Sequence, residues 1–209
     1  MKITVIGTGN MGSAFLKQLS QAGHDVRVTG RDLGKARAVA AQFRGVEAVP
    51  AAGAAQGSEL VILATGYADA VAALQAVGDL NGTTVVDITN PLTADYMGLT
   101  VGHDTSAAED IARAVPGAQV VKAFNTLFAQ VLAAGPAFAN GQQASVFFAG
   151  DSVDAKARVA TLIGSLGFKP VDAGGLKNAR YLEPLAGLNI YFGYGAGLGT
   201  SIAPAWIQQ

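Results

Sequence analysis

The chain has 209 residues, of which 50% are hydrophobic and only 14% are charged, against about 25% charged residues in an average globular domain. This balance excludes a disordered chain, and the length predicts one domain with at most a short appendage. The net charge of -1 argues against a nucleic-acid-binding surface. The absence of cysteine excludes disulfides, thiolate metal sites and cysteine nucleophiles.

Strand and helix patterns alternate along the chain. Continuous apolar runs predict buried strands, which are Ile3–Ile6, Asp25–Val28, Leu60–Ala64, Thr84–Ile88, Val120–Phe124, Ser145–Ala149 and Lys169–Val171. One-sided apolar or alanine-rich stretches predict helices, which are Met11–Gln21, Gly34–Phe43, Ala68–Val77, Ala107–Ala114 and Asp154–Leu166. Alanine and glycine richness predicts loops at Val49–Gly57 and Ala133–Gly141. The alternation predicts an α/β fold with a doubly wound parallel sheet covered on both faces.

The first predicted strand leads directly into the sequence Gly7-Thr8-Gly9-Asn10-Met11-Gly12. This is a G-x-G-x-x-G motif with a strand before it and a helix after it. Gly7 permits the tight turn, Gly9 lets the backbone approach a pyrophosphate, and Gly12 allows close packing of the helix on the strand. The helix N-terminus offers free N–H groups and a positive dipole end to phosphates. A chance match in a glycine-rich chain is the alternative, but this context favours dinucleotide binding.

Charge after the second strand bears on which dinucleotide is bound. An NAD site places an acid at the strand tip, about 20 residues after the glycine turn. Asp32 is the candidate by counting, but it is better placed as the N-cap of the next helix. Arg31 and Lys35 follow the tip instead, in a stretch with five basic residues and one acid from 27 to 44. Arginine suits a 2′-phosphate through its planar fork, so the sequence favours NADP, with a solvated helix face as the alternative.

Polar groups at later strand ends extend the predicted site. Strand C-termini line the ligand crevice of a doubly wound sheet, so Ala64, Thr65 and Gly66 should border the pyrophosphate or the nicotinamide ribose. Asn90-Pro91 ends the next strand at the same edge. The alternative interpretation is a turn imposed by proline geometry, and it is compatible with a binding role. Asn125 and Thr126 are the polar groups best placed for the nicotinamide end.

Acid–base and metal chemistry have little support in the sequence. The two histidines, His24 and His103, have no partner at a metal-ligand spacing, and no serine nucleophile elbow or paired catalytic carboxylates occur. His103 lies in a loop before Ser106 to Glu109, which is typical of a capping box for a helix, and we do not expect this histidine to be catalytic. We therefore expect no metal and no dedicated catalytic side chain. Hydride transfer needs positioning more than proton chemistry, because the cofactor carries the reaction.

The last stretch, Pro184–Gln209, contains no charged residue. It is long enough to cross a bilayer, but its prolines and glycines and the lack of a sustained aliphatic run argue against a transmembrane helix. A buried face or a subunit interface is the preferred interpretation. We expect this stretch to pack against a second subunit or the flat ring of an acceptor.

Several motifs together resemble a known family. The Gly7–Gly12 turn, Gly30-Arg31, Asn90-Pro91, the Ser106–Glu109 helix start, Val121–Thr126 and the run Pro170–Leu176 occur in the same order as in the coenzyme F420-dependent NADP oxidoreductases. They also resemble the oxidoreductase domain of the six-transmembrane metalloreductases. The archaeal F420 enzymes have a histidine where this chain has Asn125, and the Lys122–Asn125 stretch is similar to the metalloreductases, which use flavin.

The resemblance implies a Rossmann-type doubly wound parallel sheet with a short C-terminal α-rich extension. We place an NADP-binding Rossmann domain at residues 1–150, and an extension at 151–209 that completes the sheet and forms the acceptor or dimer face. On matching positions, Thr8 to Met11 would hold the pyrophosphate, and Gly30, Arg31 and Lys35 would bind the 2′-phosphate side. Ala129 would lie near the nicotinamide.

The predicted function is hydride transfer between NADP(H) and a deazaflavin (coenzyme F420) or a flavin, FMN or FAD. The alternatives are an NADPH-dependent reductase of small imine or carbonyl substrates and a non-catalytic NADP(H)-binding redox sensor. Imine reductases and similar enzymes usually add a long helical domain, whereas only about 30 residues follow Ala179 here. We expect a cytoplasmic homodimer or higher homo-oligomer that acts on a small-molecule acceptor, without nucleic-acid or membrane partners.

Overall fold

One eight-stranded sheet forms the centre of the structure, a computed structural model that describes residues 1–139 and 141–207. The strands are β1 (Lys2–Ile6), β2 (Asp25–Thr29), β3 (Val46–Ala48), β4 (Leu60–Leu63), β5 (Thr84–Asp87), β6 (Gln119–Ala123), β7 (Ser145–Gly150) and β8 (Lys169–Asp172). Their order across the sheet is β3-β2-β1-β4-β5-β6-β7-β8. The chain direction across the sheet reverses between β1 and β4, and ligands bind beside such a switch point in open α/β sheets.

Helices cover both faces of this sheet, which confirms the α/β, Rossmann-type prediction with its helical C-terminal region. The helices are α1 (Asn10–Gln21), α2 (Leu33–Ala40), α3 (Tyr67–Ala76), α4 (Ala107–Ala114), α5 (Ala129–Ala134), α6 (Val153–Ser165) and α7 (Ala179–Ile190). Buried side chains of α1, α2, α5 and α6 form one apolar core with the strands. Those of α3, α4 and α7 pack on the opposite face, because successive strand residues such as Val5 and Ile6 point to opposite faces.

The twelve predicted elements are all present, with ends within three residues of the predicted ends. Among the strands and α-helices, three were not predicted individually: the short edge strand β3 and the helices α5 and α7. The predicted loop Ala133–Gly141 is wrong at its first two residues, because α5 continues to Ala134. Gly135, with a φ of 98°, is the C-cap residue that follows the helix. Asn140, inside this predicted loop, and Gln208 and Gln209, at the end of the uncharged stretch, lie outside the described residues.

The sheet is parallel except at one pair, where β6 and β7 run antiparallel. The connection from β6 to β7 contains only α5, six residues long, whose apolar side chains Val131 and Leu132 join the core beside α1. Lys17 and Gln18 of α1 donate side-chain hydrogen bonds to the carbonyl of Ala133. The chain therefore packs against α1 and re-enters the sheet in the opposite direction. A uniformly parallel sheet was expected because α5 was not recognised.

The C-terminal part continues the same sheet and then leaves it. Strand β8 pairs with β7, so strands on both sides of the predicted boundary at residue 150 belong to one sheet, and that boundary stays a prediction. After α7 the chain forms a π-helical turn, Tyr191–Gly195, and the described residues after it have no regular secondary structure. Within residues 1–139 and 141–207, no helix has the length and apolar character needed to cross a membrane.

Candidate active site

A cleft of about 450 Å³ opens at the carboxyl ends of β1, β2 and β4. It lies at the switch point, where the fold class places its ligands. The sequence-predicted residues that line it are Gly7, Thr8, Gly9, Gly30, Arg31, Lys35, Ala64, Thr65 and Gly66. These residues follow three different strands, and the parallel sheet brings them to one edge.

The glycine turn is built by two contacts that exclude any side chain. Gly7 has a φ of 125°, and a Cβ atom there would lie 2.3 Å from the carbonyl oxygen of Ala64. A Cβ on Gly12 would lie 2.1 Å from the carbonyl oxygen of Gly7. Gly9 differs, because a Cβ there would meet no atom within 4 Å. Gly7 and Gly12 thus shape the turn, whereas Gly9 faces open space.

The first turn of α1 is available to an anion. Among the described residues, no side chain caps this helix at Gly9. By contrast, Ser152 caps α6 with its side-chain oxygen. The first N–H groups of a helix without a cap remain free donors at the positive end of its dipole. The turn therefore fits a pyrophosphate, since the open side of Gly9 lets the phosphate approach the backbone.

The charged rim of the cleft contains both signs. Arg31 is 89% exposed, and one of its guanidinium nitrogens lies 3.6 Å from Oδ1 of Asp69 on α3. Asp32 caps α2 as expected, because its Oδ1 accepts a hydrogen bond from the backbone N–H of Lys35 at 3.1 Å. Asp69 was missed in the sequence. Its position three residues after Gly66, in the first turn of α3, is the signal that could have identified it.

A second group of predicted residues lies farther along the same edge, at the ends of β5 and β6. The Asn90 side chain donates to the carbonyl of Asn125 at 2.9 Å, and the Asn125 amide donates to Oδ1 of Asn90 at 3.0 Å. Asn125 also donates to the carbonyl of Leu182 on α7 at 2.9 Å. Two strand ends and one helix are therefore joined through one amide side chain.

Several features at the end of β6 are typical of a binding site. Phe124 is buried with a φ of 60°, a conformation that is strained for an aromatic residue and is often retained at functional sites. Oδ1 of Asn125 and Oγ1 of Thr126 are buried without a hydrogen-bond partner among the described residues. Buried polar atoms normally have partners, so these two are candidates for contact with a bound group.

Not every predicted residue lines the cleft. Asn10 and Met11 are the first residues of α1, Pro91 is buried, and Ala129 is the first, half-buried residue of α5. Ala129 belongs to the Asn125 region rather than to the cleft. His103 lies in a loop, where its carbonyl oxygen accepts a hydrogen bond from Arg180.

A buried charged cluster adjoins the asparagine pair and was not predicted. Nζ of Lys122 lies 2.7 Å from Oδ2 of Asp87 and 2.9 Å from Oε1 of Glu183, and all three side chains are at most 1% exposed. The residue types are visible in the sequence, but Glu183 is about 60 residues from Lys122. No local pattern indicates that α7 places a carboxylate over β6.

Tyr67 stands at the beginning of α3, beside the cleft residue Gly66. Its hydroxyl donates to Oδ2 of Asp110 on α4 at 2.7 Å. Burial and this hydrogen bond raise the pKa of Tyr67 to about 12. The phenol therefore stays neutral in the physiological range and ties α3 to α4.

Comparisons with known proteins agree with this architecture. Residues 2–91 match the sequence model of a family described as "NADP oxidoreductase coenzyme F420-dependent". The chain is 32% identical over 208 residues to the F420-dependent NADP reductase of Methanothermobacter marburgensis, and the match covers 91% of each chain. It is 31% identical over 185 residues to metalloreductase STEAP3 of Rattus norvegicus, covering 88% of this chain but only 36% of that protein.

A solved structure gives the same result. It is a protein of Arthrobacter sp. FB24, provisionally described as an F420-dependent NADP reductase, with a TM-score of 0.90, 35% identity and full coverage of both chains. The likeness therefore extends over the whole fold and includes the C-terminal region. The chain belongs to the coenzyme F420-dependent NADP oxidoreductase family and is an NADP-dependent oxidoreductase.

Proposed function

We propose that this enzyme transfers a hydride between NADP(H) and a deazaflavin or flavin acceptor, with coenzyme F420, FMN and FAD as the candidates. The observation that carries the proposal is the arrangement along one edge of the sheet. The open glycine turn lies beside Arg31 and Lys35, and the Asn90–Asn125 pair lies farther along the same edge. Such an edge can hold an extended dinucleotide with its phosphates at one end and its nicotinamide at the other.

The residues of the chain divide between these two ends. The Gly7–Gly12 turn and the N-terminus of α1 bind the pyrophosphate, while Gly30, Arg31 and Lys35 bind the 2′-phosphate. A 2′-phosphate would replace Asp69 as the partner of Arg31, because phosphate carries more charge and suits the guanidinium fork. Ala64, Thr65 and Gly66 border the middle of the cofactor.

The second end orients the reacting ring. Asn90, Pro91, Asn125, Thr126 and Ala129 surround the place where the nicotinamide would lie, and the unpartnered oxygens of Asn125 and Thr126 are acceptors for its carboxamide N–H groups. The bound nicotinamide supplies the hydride, which leaves NADP⁺ and a reduced acceptor that takes one proton from solvent. The protein contributes orientation and exclusion of water rather than a proton-transfer group.

The C-terminal segment is the proposed location of the acceptor and of a second subunit. Exposed aromatic side chains follow α7, where Tyr191 is 53% and Tyr194 is 61% exposed. The ring of Tyr194 packs edge-on against Phe128 at 5.7 Å, one residue before Ala129. An apolar surface of this kind is typical of an interface, and its nearness to Ala129 supports a location beside the proposed nicotinamide end. We propose a homodimer with this segment at its interface. The cytoplasmic location stays a prediction.

Turnover with defined acceptors tests the proposal. The purified protein is mixed with NADPH and, in separate reactions, F420, FMN or FAD, and loss of the nicotinamide absorbance band is followed. We expect oxidation with at least one of the three. Tight NADPH binding without turnover on any acceptor would contradict the proposal and favour the redox-sensor alternative. Turnover only with an imine or carbonyl compound would favour the other alternative.

A further inference from the structure

The cluster Asp87–Lys122–Glu183 joins three elements behind the asparagine pair. Asp87 and Lys122 are register partners on the neighbouring strands β5 and β6, so their side chains leave the same face of the sheet. Glu183 reaches this face from α7. The ammonium group of Lys122 forms ion pairs with both carboxylates and donates a hydrogen bond to the carbonyl of Thr89 at 2.6 Å. These three contacts hold the ammonium group within the protein.

Glu183 has a second task at the N-terminus of α4. Its carboxylate accepts hydrogen bonds from the backbone N–H groups of Ala107 at 2.9 Å and Ala108 at 3.2 Å. The cluster contains two carboxylates and one ammonium, and the positive end of the α4 dipole helps to compensate the extra negative charge. Removing charges from water in this way is costly, and an apolar replacement is often as stable, so stability alone is a weak explanation for the cluster.

The cluster is attached to the proposed nicotinamide end through its chain neighbours. Leu182, next to Glu183, accepts the hydrogen bond from the Asn125 amide. Thr89, which accepts from Lys122, precedes Asn90, the partner of Asn125. Lys122 is thus linked to Asn90 through Thr89, the preceding residue, and to Asn125 through Glu183 and its neighbour Leu182. A shift of Glu183 would move α7, and with it the acceptor that orients Asn125.

We infer that Asp87, Lys122 and Glu183 form a positioning cluster that fixes the Asn90–Asn125 pair relative to α7 for hydride transfer. This inference rests on the proposed function, because it assigns the pair to the nicotinamide end. The cleft at the phosphate end contains none of the three residues. Loss of one carboxylate therefore lowers kcat and leaves the affinity for NADPH nearly unchanged.

The variant Glu183→Gln tests the inference. It keeps the shape of the side chain and leaves Lys122 paired with Asp87 as a balanced ion pair. The Gln amide must turn its N–H groups toward Lys122 or toward the α4 N–H groups, all of which are donors, so α7 shifts. We expect kcat to fall about 10- to 100-fold, the range that a small misplacement of reacting groups can cause. The dissociation constant of NADPH should stay within about twofold, because phosphate contacts dominate it.

Glu109→Gln is the matched control. Glu109 also connects α4 to α7, through Arg180 at 2.7 Å, but its side chain is 20% exposed, whereas that of Glu183 is 1% exposed. The same chemical change at the same pair of helices should leave kcat unaltered. Equal kcat losses in the two variants would overturn the inference, since any loosening of the helices would then suffice. An unchanged kcat in Glu183→Gln would overturn it as well.

Two further readouts do not depend on turnover. The fluorescence of bound NADPH should move toward that of free NADPH in Glu183→Gln, and amide hydrogen exchange in α7 should accelerate in the protein without cofactor. Wild-type protein that binds NADPH but reduces no acceptor would defeat the proposed function, while these readouts would still decide the positioning role. Unaltered fluorescence and exchange would overturn it.

Asp87→Asn provides a second variant should Glu183→Gln not fold. It leaves Lys122 paired with Glu183, and it should give the same separation between kcat and NADPH affinity. A double variant with Asn125→Ala adds a direct check, because residues that act through one another give non-additive losses. Additive losses would overturn the inference. Failure of both single-carboxylate variants to fold would also overturn it, since the cluster would then be needed for the fold itself.

Discussion

The two ends of the proposed cofactor site are constructed in opposite ways. The phosphate end is made of backbone and open space: a Cβ on Gly9 would meet nothing within 4 Å, and Arg31 is 89% exposed. The nicotinamide end is closed and made of side chains, where Asn125 is 5% exposed and Lys122 is fully buried between two carboxylates. One end is local in sequence, whereas the other brings together three distant segments.

This difference indicates a division of labour. Affinity for a doubly charged phosphate group needs accessible donors, which a glycine turn and exposed basic residues supply. Orientation of a flat ring needs groups that do not move, and buried side chains held by hydrogen bonds and ion pairs provide them. Substitutions at the phosphate end should therefore change binding, and substitutions at the nicotinamide end should change rate.

The largest effect is expected from Gly12→Ala, and Gly9→Ala is its matched control. The new Cβ at position 12 would lie 2.1 Å from the carbonyl oxygen of Gly7. Because backbone cannot move aside cheaply, we expect a loss of unfolding free energy at or above the upper end of the roughly 1–3 kcal/mol typical of overpacking, with NADPH binding abolished. Urea unfolding and a fluorescence titration with NADPH measure the two effects.

Gly9→Ala separates binding from folding. Gly9 has φ of -80° and ψ of -168°, which alanine also adopts, and the space around it is open. We expect unfolding free energy within about 0.5 kcal/mol of wild type, as for most surface substitutions. NADPH should bind at least about tenfold more weakly, a loss of about 1.4 kcal/mol, because the methyl group occupies the approach of the pyrophosphate. Wild-type affinity in this variant would refute the assignment of the turn to phosphate.

Arg31→Ala should change the choice between NADPH and NADH. The 2′-phosphate loses its fork-shaped partner, whereas NADH has only an uncharged 2′-hydroxyl there. We expect about 10- to 100-fold weaker NADPH binding, in the range of a lost charged hydrogen bond of about 1.5–3 kcal/mol, and a much smaller change for NADH. Arg37→Ala is the control, because Arg37 is exposed on α2, the helix that follows Arg31, and lies outside the cleft. Equal weakening of both dinucleotides would contradict the role given to Arg31.

Leu198→Glu tests the proposed dimer interface. Leu198 is 63% exposed in the uncharged segment, and a carboxylate buried there without a partner is unfavourable. We expect sedimentation velocity to show a dimer for wild type and a monomer for the variant at the same concentration. Val153→Glu, at a 77% exposed position on α6, should remain dimeric. A monomeric wild-type protein at micromolar concentrations would contradict the proposal.

The sequence predicts the geometry of the proposed phosphate end well because its determinants are local. The glycine turn, the Asp32 cap and the basic residues Arg31 and Lys35 occur within a short stretch, and strand–turn–helix context assigns them without tertiary information. The sheet could be predicted equally well, since continuous apolar strands that alternate with helices usually form a parallel sheet covered on both faces. The antiparallel β7 was not, because its direction depends on how α5 packs on α1.

The nicotinamide end could be predicted only in part. Asn90 and Asn125 were identified from their positions at strand ends, but their mutual hydrogen bonds depend on the neighbouring strands β5 and β6. Asp87, Lys122 and Glu183 were missed, because charged residues within apolar strands give no signal of their partners. Glu183 is separated from Lys122 by two strands and two helices, so only the folded chain brings them together.

The smallest effect concerns Glu109→Gln and its dependence on pH. Hydrogen bonding from Arg180 lowers the pKa of Glu109 in the folded protein. A carboxyl with a lowered folded-state pKa stabilises the protein above its unfolded pKa of about 4.3, and this stabilisation disappears as pH falls through the folded value. At neutral pH the variant should therefore lose no more than about 1 kcal/mol of unfolding free energy, as is typical of an ion pair near the surface. Urea unfolding of both proteins should show this difference shrinking as the pH is lowered below about 4. A difference that persists undiminished in acid would mean that Glu109 acts through packing or its contact with Ser106 rather than through charge.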